Sequence, residues 1–204
     1  MRIIDTETTE EVQRMFGAGA EERLTTPWHE SARRRLPWLL VNLALAVVAA
    51  LVVRAYEGTI EAWTVLAVYL PVVAGMGGNA SAQAMAVAIR GIAVGEAGRV
   101  RLRRLLRREL LVGAASGLVV GVAAAAVALV VHYDHGPLLG ALVAVSLFVS
   151  HTVACVWGAT IPFLMQALGF DPAQSATIFT TTVTDMVGFL TLLGLATASL
   201  CWLA

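Results

Sequence analysis

Five stretches of this 204-residue chain are apolar over about the 20 residues that a helix needs to cross the hydrocarbon core of a bilayer. They run approximately from Leu36 to Val53, Ala62 to Ala88, Leu110 to Val131, Leu138 to Leu168 and Pro172 to Leu203. A backbone in hydrocarbon has no water to bond, so each span has to satisfy its own N–H and C=O groups as a helix. The sequence therefore predicts an all-α integral membrane protein with five transmembrane helices per subunit. Composition agrees: 58% of residues are hydrophobic, 14% are charged, and mean hydropathy is +0.78. A soluble domain carries about a quarter charged residues.

Residues 1–30 are of another kind. "MRIIDTETTEEVQRMFGAGAEERLTTPWHE" is polar and acidic, without the apolar core of a cleaved signal peptide. "DTETTEEVQRMF" reads as a short capped helix. The expected division is a short polar cytoplasmic segment, 1–30, followed by a transmembrane domain, 31–204.

All 14 basic residues are Arg, and they balance 14 acids, so net charge suggests no nucleic-acid partner. Their positions carry more information. Arg33, Arg34 and Arg35 precede the first span, and seven arginines from Arg90 to Arg108 crowd the link between the second and third. The third-to-fourth turn, "HYDHG", has none. By the positive-inside rule the N-terminus is cytoplasmic and the C-terminus outside, in a multi-pass protein of the cell's inner (plasma) membrane. In "GEAGRVRLRRLLRREL" leucines alternate with arginines, predicting a short basic amphipathic helix at the headgroups. Cys155 and Cys201 both lie in apolar spans and read as free, buried thiols.

The second span holds residues that hydrocarbon does not favour. "LPVVAGMGGNASAQAMAVAIRG" contains Pro71, Gly75, Gly77 and Gly78, then Asn79 and Gln83 on one helix face, then Arg90. Pro71 and the glycines permit close packing or local unwinding. Intramembrane carboxamides are tolerated where they face protein or water, so Asn79 and Gln83 read either as bonds between helices or as pore lining.

In the fifth span, "FDPAQSATIFTTTVTDMVGFL", Asp171 before Pro172 is a helix-start signature. Asp185 has no such explanation. It lies about 21 Å further along the helix, the one acid deep in a span. Thr177, Thr181, Thr184, Asp185 and Gly188 share a face at helical spacing. No basic residue lies deep enough in any span to pair with it, so a cation pathway is the expected role. One carboxylate per chain half-neutralises a divalent ion, whereas a two-fold dimer would bring two. The remaining oxygens are hard ligands, suited to Mg2+ and also to Ca2+, Mn2+ or Co2+.

These motifs resemble the transmembrane domain of the MgtE family of magnesium channels and transporters. "LPVVAGMGGNASAQAMAVAIRGIAVGE" is similar to its second-helix signature, "RRELLVGAASGLVVG" to its third-helix start, and "GATIPFLMQALGFDPAQSATIFTTTVTDMVGF" to its last two helices. The resemblance implies a homodimer with its pore between helices two and five, Asp185 as the main cation ligand, Asn79 as a pore-lining partner, and Asp171 as an acid at the cytoplasmic mouth. Gln83, Thr181 and Thr184 complete the candidate metal set. The family's second polar position after Gly-Gly-Asn is Ala82 here. Typical members carry a cytoplasmic N domain and paired CBS domains that sense Mg2+. Some 30 residues hold neither, so that closing mechanism is not carried over.

Three alternatives stand beside a channel. One is a Na+- or H+-coupled divalent-cation exchanger. Another is a non-transporting membrane scaffold. The third is an intramembrane protease, which would want a second deep Asp, or a Ser–His pair better placed than the adjacent Ser150 and His151. An enzyme is thus not expected. His151 reads as a helix-packing group or a water-facing pore neighbour. His132, Asp134 and His135 in the outer turn read as solvated side chains, too few for a metal site.

Overall fold

A computed structural model describes residues 23–95, 102–170 and 172–203. The described residues contain no strand. Helix α1 spans Trp28–Ala55, α2 Glu57–Ala62, α3 Leu66–Ala93, α4 Leu102–Val131, α5 Gly136–Ala167 and α6 Pro172–Leu203, with a 3-10 turn at Tyr133–His135. All but α2 are long and apolar enough to cross a membrane, so the five expected spans are present. The short helix predicted near the N-terminus lies outside the described residues.

One expectation is corrected, and one pair of alternatives is decided in favour of close packing. The described arginine–leucine run, from Leu102 onward, is no separate helix at the headgroups but the first turns of α4. Its hydrophobic pattern continues in phase into "LLVGAASG", so the chain never leaves the helix. Pro71 and the glycines do not break α3, which is continuous from Leu66 to Ala93. Pro71 removes one N–H, but Gly77 and Ser81 then lie against α5, and packing holds the helix straight through. Sharp reversals instead fall at Gly136 (φ +68°) and Gly169 (φ +79°), where the chain enters and leaves α5 in a backbone region open to glycine.

Helix α5 is the centre of the subunit. Its Leu139, Val143 and Leu147 are fully buried against Leu66 and Val73 of α3 and Leu192 and Leu193 of α6. Further along, Ala154 and Ala159 meet Ala80 and Ala84 of α3, where small side chains bring the axes together. Helix α4 packs on α5 through Gly113, Gly117 and Gly121, one per turn, with backbone nearly touching backbone. Helix α1 packs on α6, and Ala49 is its one buried residue. Leu39, Leu40, Leu43 and Leu51 of α1 are exposed, as suits a helix facing acyl chains.

Candidate functional site

The candidate residues of the fifth span lie where α3 and α6 cross against α5. A Cβ at Gly77 of α3 would stand 3.7 Å from Cβ of Thr184 on α6, and one at Gly188 of α6 would stand 2.9 Å from Cγ1 of Val73. Two glycines therefore bring the helices together beside Asp185.

Asp185 is half-buried on α6, and no described residue hydrogen-bonds to it or pairs with its charge. Around it the threonines spend their protons on their own helix. The Thr181 hydroxyl donates to the Ile178 carbonyl at 3.1 Å, and that of Thr184 to the Thr181 carbonyl at 2.9 Å. A hydroxyl whose proton is committed in this way keeps its lone pairs for an incoming donor or cation. Thr181 is half-buried and keeps that possibility open. Thr184 is 1% exposed and faces the interior of the subunit, packed toward Gly77.

Asn79 and Gln83 sit two turns into the polar part of α3, exposed and without a hydrogen bond among the described residues. They line a cavity of about 300 Å3 between α3, α4 and α5, together with Glu109, His151 and Cys155. Asp185 is not among the residues that line their cavity. Glu109 is 3% exposed, and its Oε1 accepts from the Arg108 guanidinium at 2.7 Å. His151 is equally buried, its Nδ1 3.0 Å from the Leu147 carbonyl. Glu109 is readable in the sequence only as an acid at a helix start, and His151 only as a packing group; nothing in their spacing, 42 positions apart, joins them. The candidate Asp171 lies outside the described residues, although Pro172 does begin α6 as its helix-start signature requires. In the turn between α4 and α5, His132 is not free in solvent: its Nδ1 lies 2.9 Å from the Tyr69 hydroxyl of α3.

Apolar helices that bury an unpaired carboxylate and leave two carboxamides unbonded define a polytopic membrane protein built around polar groups inside the bilayer. The family model that matches, MgtE, described as a divalent cation transporter, covers residues 70–195, and the chain belongs to that family. It is 34% identical over 188 residues to the magnesium transporter MgtE of Enterococcus faecalis, a match over 92% of this chain and 41% of the relative. It is 31% identical over 196 residues to that of Bacillus subtilis, over 96% of this chain and 43% of the relative. For Thermus thermophilus the identity is 30% over 196 residues, covering 95% and 43%. The chain thus spans under half the length of these curated relatives.

Proposed function

We propose that this chain carries divalent cations, Mg2+ foremost, across the membrane through a passage on the axis of a homodimer. The observation that carries the reading is Asp185: a carboxylate inside an apolar helix, half-buried, with no partner among the described residues. Such a group costs at least a few kcal/mol in lipid unless water or a cation faces it. Asp185 from each of two subunits would match the two charges of the ion. Thr181 and Asn79 would offer oxygens to its water shell, with Gln83 further along α3 and Asp171 toward the cytoplasmic mouth. Mg2+ dehydrates reluctantly, so the carboxylates would grip its waters rather than the bare ion. The names of the relatives support Mg2+ as substrate; Ca2+, Mn2+ and Co2+ fit the same oxygens and are the natural competitors. A lipid bilayer is the required surround for either subunit.

Uptake into liposomes holding the purified protein and a Mg2+ indicator tests this. Asp185→Asn, which keeps the shape and removes the charge, is expected to lower the initial rate by about tenfold or more, the equivalent of roughly 1.4 kcal/mol. Equal uptake by wild type and variant removes the proposed site. Chemical crosslinking in the membrane should yield a dimer; a strictly monomeric chain that still transports would remove the axial passage.

A further inference from the structure

Helix α4 opens with Arg103, Arg104, Arg107 and Arg108, and the subunit uses only the last of them. Arg108 pairs with Glu109, the one acid of the helix. Arg103, Arg104 and Arg107 are exposed and have no ion pair or hydrogen bond among the described residues. With 3.6 residues to the turn, these three guanidinium groups leave the helix within about 100° of its circumference. The same strip continues along the helix as Leu111, Leu118 and Val122, each more than half exposed. The step from Arg104 to Leu111 equals that from Leu111 to Leu118, two turns each, so charge and apolar surface are in phase on one face. The glycine face of α4 is the one turned to α5, and the strip lies outside that contact.

We infer that this strip is a binding site for one anionic phospholipid, its phosphate held by Arg103, Arg104 and Arg107 and an acyl chain lying along Leu111, Leu118 and Val122. The dimensions agree. Leu111 to Val122 covers about 16 Å of helix, and the hydrocarbon of one leaflet is about 15 Å deep. Arg107 comes one turn before Leu111. Helical side chains lean toward the N-terminus of their helix, which carries the guanidinium groups out of hydrocarbon to the level of the headgroups. Each presents a planar fork of donors that matches phosphate oxygens. Three positive charges with no described acid left to balance them favour a headgroup of net negative charge over a zwitterion, whose own ammonium would face the arginines. A free phosphate would satisfy the arginines and leave the apolar strip unused, so the occupant is a lipid. Topology alone does not require this arrangement. The positive-inside rule counts arginines without regard to the helix face they occupy, whereas here they are aligned with the leucines below them. Neither Asp185 nor the carboxamides of α3 take part, so the inference stands apart from the transport reading.

Native mass spectrometry of the purified chain in detergent, titrated with phosphatidylglycerol or with phosphatidylcholine of the same acyl chains, reads both affinities without any transport. Wild type should bind its first phosphatidylglycerol more tightly than phosphatidylcholine. Arg103→Gln, Arg104→Gln and Arg107→Gln should each weaken phosphatidylglycerol by about fivefold, the usual effect of one arginine beside an anionic headgroup. Phosphatidylcholine binding should be unchanged in all three, which also shows that the variants are folded. Arg33→Gln, at an exposed arginine of α1, is the control and should lose nothing. An equal loss there would mean that any basic charge serves, and overturns the site. Equal wild-type affinity for the two lipids overturns it as well, and leaves the arginines to an acidic protein surface. Inorganic phosphate in tenfold excess over lipid should displace no phosphatidylglycerol; displacement would assign the arginines to the free ion and remove the lipid.

Discussion

Gly113 of α4 and His151 of α5 meet through their backbones: a Cβ on Gly113 would lie 2.7 Å from the His151 carbonyl oxygen. Thr152 Cα would be as near, at 2.8 Å. Neither atom can rotate aside, so Gly113→Ala must push the two helices apart. A loss of about 1–3 kcal/mol is expected, the usual cost of overpacking, read as a lower melting temperature in detergent. Gly78→Ala is the control, since nothing lies within 4 Å of its Cβ position in the subunit. Equal melting of both variants would remove the close-contact account of the α4–α5 seam.

Gly77 and Ser150 make a pair whose strain can be relieved. A Cβ on Gly77 would stand 2.5 Å from Ser150 Oγ, but 3.7 Å or more from everything else around it. Ser150 Oγ is buried with no hydrogen-bond partner among the described residues. Ser150→Ala alone should therefore be near neutral, and Gly77→Ala alone destabilising. The double variant should recover most of the loss, giving a coupling energy of about 0.5–3 kcal/mol in a thermal melting cycle. Simple additivity would contradict the geometry.

Arg108 and Glu109 share one ion pair with unequal exposure, 58% against 4% for the side chains. Removing the arginine strands a buried carboxylate, whereas removing the acid's charge leaves an arginine that water can solvate. Arg108→Ala is expected to destabilise by about 1–3 kcal/mol, and Glu109→Gln by less. Chemical denaturation in mixed micelles gives the order; a larger loss in Glu109→Gln would reverse the assignment.

Tyr69 and His132 join the N-terminal part of α3 to the turn after α4, hydroxyl to Nδ1 at 2.9 Å, with the rings edge to face. Tyr69→Phe keeps the packing and removes the bond. The expected cost is about 1 kcal/mol, with faster amide exchange in the turn at 132–136. Unaltered exchange there would show that the turn is held by other contacts.

Hydropathy made the five spans legible because a bilayer demands length and apolarity from each. The ends of α5 and α6 agree with the expectation within two residues. The starts of α1 and α4 do not, since those helices run on through arginines, and hydropathy marks the slab of hydrocarbon rather than the helix. Asp185 stood out as an acid without an excuse, and the structure gives it no partner among the described residues. The surroundings of Asn79 and Gln83 were not legible. Helical spacing assigns them a common face, but only tertiary packing decides that Glu109 and His151 lie across from it. The threonine run was likewise seen as one polar face, yet Thr184 turns inward because Gly77 makes room for it.

Helix α1 contains the most apolar stretch among the five spans, and it rests on α6, the last of the described helices. During synthesis it enters the bilayer more than a hundred residues before that neighbour exists. It has to persist alone in lipid, anchored by arginines at its leading end, while α3 to α6 assemble around α5. The packing of α1 thus waits on α6, whereas α5 has both α3 and α4 to pack on before α6 is made.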